Sequence, residues 1–256
     1  MEAWLAAGTE IEAEKYPVLV ENPHTYLAIS GGGANGAYGA GLLVGWSARG
    51  DRPEFTAVTG ISTGALAAPF VFLGEEYDEE LRQLYTTIST GDILRKRNFL
   101  NKYFSDSAMD SEPLADLLER YIDEPMMKAI AAESKKGRVL YIGTTHLDAG
   151  RPVTWNIGRI ASSGHPGALD LIRQVLLASA SIPAIFPPVL IDVEAFGRSY
   201  DEMHVDGGVT TQVFFYPAAI KWSRVLEKLG VPGTSRMYLI RNARLDSRWK
   251  QTKNKA

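Results

Sequence analysis

The chain has 256 residues, 45% hydrophobic and 22% charged, with a formal net charge of −3. That composition is of a soluble globular protein with one large domain or two small ones, and its near-neutral balance carries no electrostatic footprint for nucleic acid. The absence of cysteine excludes thiol catalysis, cysteine-ligated zinc and disulfides.

In chain order, residues 1–25 are polar and proline-punctuated, an N-terminal surface arm that lacks the basic-then-apolar plan of a signal peptide. TYLAIS (25–30) reads as a buried strand, and a glycine loop then leads into a helix over 36–48 that Gly50 can terminate. EFTAVTG (54–60) is a second strand, STGALAAPFVFLG (62–74) turns helical, and 75–89 is an amphipathic helix. MDSEPLADLLERYI (109–122) starts a helix with Asp110 or Ser111 as cap and Pro113 in the first turn. RVLYIGTTHLDAGRPVTWNI (138–157) reads as two strands around a DAG turn, 166–178 as a helix, and HVDGGVT (204–210) as a strand running into a turn. A helix over 217–230 and a strand over 236–240 complete the domain.

Alternating strands and helices predict one α/β domain over residues 26–241, with a mainly parallel sheet covered on both faces and a polar, basic tail at 242–256. The longest central apolar run, ALAAPFVFL (65–73), is too short to span a bilayer. The expectation is a soluble chain, or one of the cell envelope if a leader has been removed.

AISGGGANGAYGAGLL (28–43) holds six glycines between Gly31 and Gly41, a texture that lets backbone N–H groups approach an anion. Gly31, Gly33 and Gly36 satisfy the dinucleotide spacing, but the second strand does not end in the acidic residue that would hold a ribose. No Lys-Ser/Thr pair follows Gly36, which removes the P-loop reading. The second strand instead ends in Gly60-Ile61-Ser62-Thr63-Gly64, a G-x-S-x-G between an apolar strand and an apolar helix. In a nucleophile elbow such glycines permit the sharp turn that exposes the serine hydroxyl above the sheet. Two adjacent parallel strands bring both loops to one sheet edge, where the glycine loop can donate to the oxyanion formed when Ser62 attacks a carbonyl.

Ser62 then needs a proton acceptor. His24, His146 and His165 fit structural places before a strand, in a strand and at a helix start. Asp206, followed by Gly207 and Gly208, can present its carboxylate at a sharp turn, and His204 shares its face if the strand is regular. The residues alone leave Asp206 and His204 both open.

Taken together and in order, GGGANG, GISTG, ASASIPAIFPPV (178–189) and VDGG (205–208) resemble the patatin-like phospholipase family over residues 26–241. The resemblance implies a three-layer α/β/α sandwich and a Ser–Asp dyad, without histidine, that hydrolyses acyl esters of lipids. It implies Ser62 as nucleophile, Asp206 as base, and Gly31, Gly32 and Gly33 as the oxyanion loop, with no metal and no cofactor. Asn35 stands where the family usually has Arg or Lys; this uncharged side chain motivates a rival reading, a weakly active lipid-binding or scaffold member. Residues 94–104, LRKRNFLNKYF, interleave Arg95, Lys96, Arg97 and Lys102 with aromatics. That pattern suits either peripheral contact with a membrane surface or a loop docked on the core.

Overall fold

The computed structural model describes residues 22–86, 95, 96, 109–215, 227 and 230–243. Strands β1 (Thr25–Ile29) and β2 (Ala57–Ile61) are short apolar runs with almost every residue buried, as expected of strands covered on both faces. Between them lies α1 (Gly36–Arg49), stopped by Gly50 at φ 83 with its N–H on Ser47 O at 2.7 Å. Beyond β2 comes α2 (Thr63–Leu73), apolar on every side and largely buried, then α3 (Asp78–Thr86).

A two-residue ladder of β3 (Arg95–Lys96) and β4 (Met109–Asp110) precedes α4 (Glu112–Tyr121) and α5 (Glu124–Lys135). A hairpin of β5 (Val139–His146) and β6 (Arg151–Asn156) leads into α6 (Ile157–Ala161) and α7 (Ala168–Ala180). A second hairpin, β7 (Val189–Ala195) and β8 (Arg198–Asp206), and then β9 (Arg236–Ile240) complete the elements.

Seven strands form one sheet in the order β7-β8-β5-β2-β1-β9, with β6 also on β5. Strands β9, β1, β2 and β5 are parallel, and β8 runs against β5. Strand β7, antiparallel to β8, therefore points with the parallel set, so five of the seven strands share one direction. This is the mostly parallel, helix-flanked α/β/α arrangement the sequence predicts. The core joins Leu27, Val58 and Ile142 of the sheet to Phe70 and Phe72 of α2 and Ile172 of α7.

The register of β5 positions the site. Tyr141–His146 pair with β6, which fills one edge of β5. The other edge is shared, β2 taking Val139–Gly143 and β8 taking Thr144–His146. Strands β2 and β8 thus abut end to end, with Ile61 opposite Gly143 and Asp206 opposite Thr144. One residue past Ile61 is Ser62.

Three features were not anticipated from the sequence. Helix α5 starts on Asp123, whose Oδ1 accepts Met126 N–H at 2.9 Å, and has proline in its first turn. Its Asp-Glu-Pro start is a legible signal. Helix α6 starts on Asn156, which accepts from Arg159 N–H at 2.9 Å. The β7–β8 hairpin turns at Phe196 and Gly197, both at positive φ, a connection that matches strand twist but has an unusual first residue. The expected helix over 217–230 lies outside the described residues except for Glu227 and Gly230, as do residues 1–21 of the arm and 244–256 of the tail.

Candidate active site

Ser62 joins β2 to α2 at φ 55 and ψ −126. A side chain held at such a backbone conformation costs about 1–3 kcal/mol and persists only where its neighbours over-determine it. The flanking glycines allow the close packing: a Cβ on Gly60 would sit 2.8 Å from Ala65 Cα, and one on Gly64 would sit 2.7 Å from Ser30 O. Ser62 N–H donates to Ser179 Oγ at 3.0 Å, and its carbonyl accepts Ala65 N–H at 2.8 Å and Leu66 N–H at 3.2 Å.

Asp206 ends β8 and is 5% exposed. The Ser62 side chain lies close enough to the Asp206 carboxylate to lower its pKa. Oδ1 accepts Gly208 N–H at 2.7 Å, and Asp206 N–H donates to Ser181 O at 2.8 Å. Burial pushes the carboxyl above its ordinary pKa, while the neighbouring Ser62 side chain and the Gly208 N–H pull it partly back. Gly207 lies against β5, where a Cβ would meet Gly143 C at 2.9 Å, and a Cβ on Gly208 would meet Asp206 Oδ1 at 2.9 Å.

The glycine loop flanks the elbow: a Cβ on Gly31 would lie 3.1 Å from Ser62 Cβ. Gly31 N–H donates to Gln212 O at 3.3 Å, whereas Gly32 and Gly33 N–H make no hydrogen bond among the described residues. Gly33 sits at φ 55 with open space around it, and a Cβ on Gly36 would press on Thr63 Cγ2 at 2.8 Å. Asn35 is exposed, and its side chain caps nothing at the start of α1.

Two residues of this site are not singled out in the sequence, although Ser179 lies inside the ASASIPAIFPPV block. Asn242, at the start of the stretch read as tail, is 2% exposed and packs beneath the glycine loop. Its N–H donates to Ser30 Oγ at 2.9 Å and its Nδ2 to Ser30 O at 3.0 Å. Ser179 of α7 donates its hydroxyl to Gly143 O at 2.7 Å while accepting from Ser62. Both act across more than a hundred residues, beyond any local pattern.

His204 is fully buried with both ring nitrogens engaged, Nδ1 with Thr144 Oγ1 at 3.0 Å and Nε2 with Glu202 Oε2 at 3.1 Å. It makes no hydrogen bond to Ser62 among the described residues, and burial lowers its pKa despite Glu202. His146 accepts Ala149 N–H at 3.2 Å in the DAG turn, His165 accepts Gly167 N–H at 3.1 Å before α7, and His24 Nδ1 meets Tyr26 OH at 2.6 Å. Segment 94–104 lies outside the described residues, save that Arg95 and Lys96 pair with Asp110 and Met109.

Among the described residues no three of His, Asp or Glu stand close enough to share a metal ion, and no helix is long and apolar enough to cross a membrane. What the geometry does offer is a hydroxyl beside a carboxylate, next to two backbone donors with no partner among the described residues. Such a set can attack an acyl carbonyl and hold the resulting oxyanion.

The model of the patatin-like phospholipase family matches residues 27–219. No curated protein matches the chain. Among solved structures, the crystal structure of VipD from Legionella pneumophila aligns over 86% of this chain and 50% of its own, at 11% sequence identity and a TM-score of 0.48. The chain thus spans half the length of that protein.

Proposed function

Since the chain belongs to the patatin-like phospholipase family, we propose that it is a serine lipid acyl hydrolase cleaving carboxylic esters through an acyl-enzyme, with Ser62 as nucleophile and Asp206 as base. The observation that carries this reading is the end-to-end abutment of β2 and β8 on β5, which brings Ser62, at a turn of positive φ, beside the Asp206 carboxylate.

In the proposed sequence Ser62 Oγ attacks the ester carbonyl while its proton passes to Asp206. The carbonyl oxygen becomes an oxyanion facing Gly32 and Gly33 N–H, the loop donors with no other partner among the described residues. Collapse of the tetrahedral adduct breaks the ester C–O bond, and the leaving alcohol takes the proton from Asp206. Water then attacks the acyl-enzyme with Asp206 again accepting a proton, and the free acid leaves as Ser62 recovers its hydrogen. No metal or cofactor enters the scheme.

An ordinary aspartate, with a pKa of about 3.9, is a weak base at neutral pH. Burial of Asp206 raises its pKa, which favours proton transfer from Ser62. His204 is a poorer candidate, being tied to Thr144 and Glu202. Ile182 beside Ser181, and Val209 after Gly208, are exposed apolar side chains suited to an acyl chain.

The test is hydrolysis of a short-chain p-nitrophenyl ester together with fluorophosphonate labelling. Ser62→Ala abolishes turnover with the far-UV circular dichroism unchanged, and the wild-type adduct maps to Ser62. Retained turnover, or an adduct elsewhere, overturns the assignment.

A further inference from the structure

We infer that the last turn of α7 is the gauge that sets the distance between nucleophile and base, with Ser179 as the positioning residue; the inference rests on the Ser62–Asp206 reading. The sheet cannot do this by itself. Strands β2 and β8 only abut along one edge of β5, so no ladder hydrogen bond ties Ser62 to Asp206. Something must bridge the join, and the segment at the end of α7 does so at both of its ends.

Ser179, fully buried, accepts Ser62 N–H at 3.0 Å and donates to Gly143 O at 2.7 Å. Its hydroxyl therefore uses both of its roles, as acceptor toward the elbow and as donor toward β5 at the residue where β2 stops. Two residues on, the Ser181 carbonyl accepts Asp206 N–H at 2.8 Å. Ser181 is itself fixed, its N–H on Ala178 O at 3.1 Å and its hydroxyl on Leu177 O at 2.8 Å. One rigid helical turn thus grips the backbone of the nucleophile with a side chain and the backbone of the base with a carbonyl.

Two consequences follow for the chemistry. The elbow's positive φ is supported by a bond from outside its own turn, as a strained conformation requires. The Ser62 N–H points toward α7 and is engaged by Ser179, so the nucleophile's own amide does not serve the oxyanion.

Removing the Ser179 hydroxyl leaves Ser62 N–H and Gly143 O buried without this partner and frees the elbow to relax. A misplacement of roughly 1 Å in a catalytic group lowers rate by about 10²-fold. Ser179→Ala in the full chain is expected to lower kcat for the short-chain p-nitrophenyl ester by about 10²-fold with KM within about threefold, and to slow fluorophosphonate inactivation at Ser62 in proportion. Ser179→Cys, which keeps a weak donor and acceptor, recovers part of that rate. Val175→Ala, on the buried side of the same helix, provides the control: its melting temperature falls while kcat stays near wild type.

A kcat for Ser179→Ala within threefold of wild type, a loss confined to KM, or an equal loss of kcat in Val175→Ala each overturns the inference. Should Ser179→Ala not fold, Ser179→Cys decides: a lowered kcat with native melting supports the gauge, and a wild-type kcat refutes it. Failure of the underlying reading looks different, since the wild-type fluorophosphonate adduct would then lie on a residue other than Ser62.

Discussion

Gly32→Ala isolates the oxyanion loop, because the obstruction it meets is specific. A Cβ at Gly32 would lie 2.6 Å from Asn242 Cβ and 2.8 Å from Asn242 C. An ordinary carbon contact is about 3.5 Å or more, so the loop must back away by roughly 0.8 Å. A donor that starts about 2.9 Å from the oxyanion would end near about 3.7 Å, outside hydrogen-bond range. Loss of one such donor lowers kcat by about 10²–10³-fold, or about 2.7–4 kcal/mol. KM should change little, because the charge the loop holds develops only in the transition state. Gly33→Ala is the contrasting case. It meets open space but sits at φ 55, so its penalty is about 1–2 kcal/mol of backbone strain, with kcat reduced less than tenfold. Asn242→Gly added to Gly32→Ala should not restore kcat, since the obstruction includes the Asn242 main-chain carbonyl. Steady-state kinetics with a soluble short-chain ester, beside thermal melting, separate these outcomes. If Gly32→Ala keeps kcat within threefold, or loses only KM, the loop does not hold the oxyanion and the reasoning fails.

Asp206→Asn should lower kcat by about 10³-fold through loss of the general base, yet melt at a higher temperature than wild type at neutral pH. The sign follows from burial: a carboxyl whose folded pKa is raised binds its proton more readily folded than unfolded, so its ionisation destabilises the fold as pH rises through that pKa. A lower melting temperature for Asp206→Asn at pH 7 would contradict this. His204 has the opposite pH signature. Its folded pKa is lowered, so the stability it contributes is intact above the ordinary histidine value of about 6.5 and is lost as pH falls below it. Melting curves between pH 5 and 7 should therefore flatten in His204→Gln, while ester hydrolysis at pH 7.5 falls less than tenfold; a dead His204→Gln would make histidine the base.

What was legible in the sequence is what short-range sterics dictate. Apolar runs of five residues between glycine-rich turns specify buried parallel strands, and Gly60-x-Ser62-x-Gly64 specifies the elbow, because only glycines tolerate α2 packing this tightly on the end of β1. The start of α5, Asp123-Glu-Pro, was equally local and could have been read.

The base proposed for Ser62 is not local to it in sequence. His204 and Asp206 lie two residues apart on one face of β8, so spacing offers both to Ser62 on equal terms. The register of β8 against β5 separates them: it sets Asp206 opposite Thr144 at the abutting end of β2, and buries His204 one step further along, between Thr144 and Glu202. Ser179 and Asn242 belong to the same class, serving the elbow and the glycine loop from 117 and 212 residues away. A chain determines by itself the turns whose geometry is closed by neighbouring residues. Which buried groups meet is decided only when strand register and helix packing bring distant polar atoms to a place where each must find a hydrogen-bond partner.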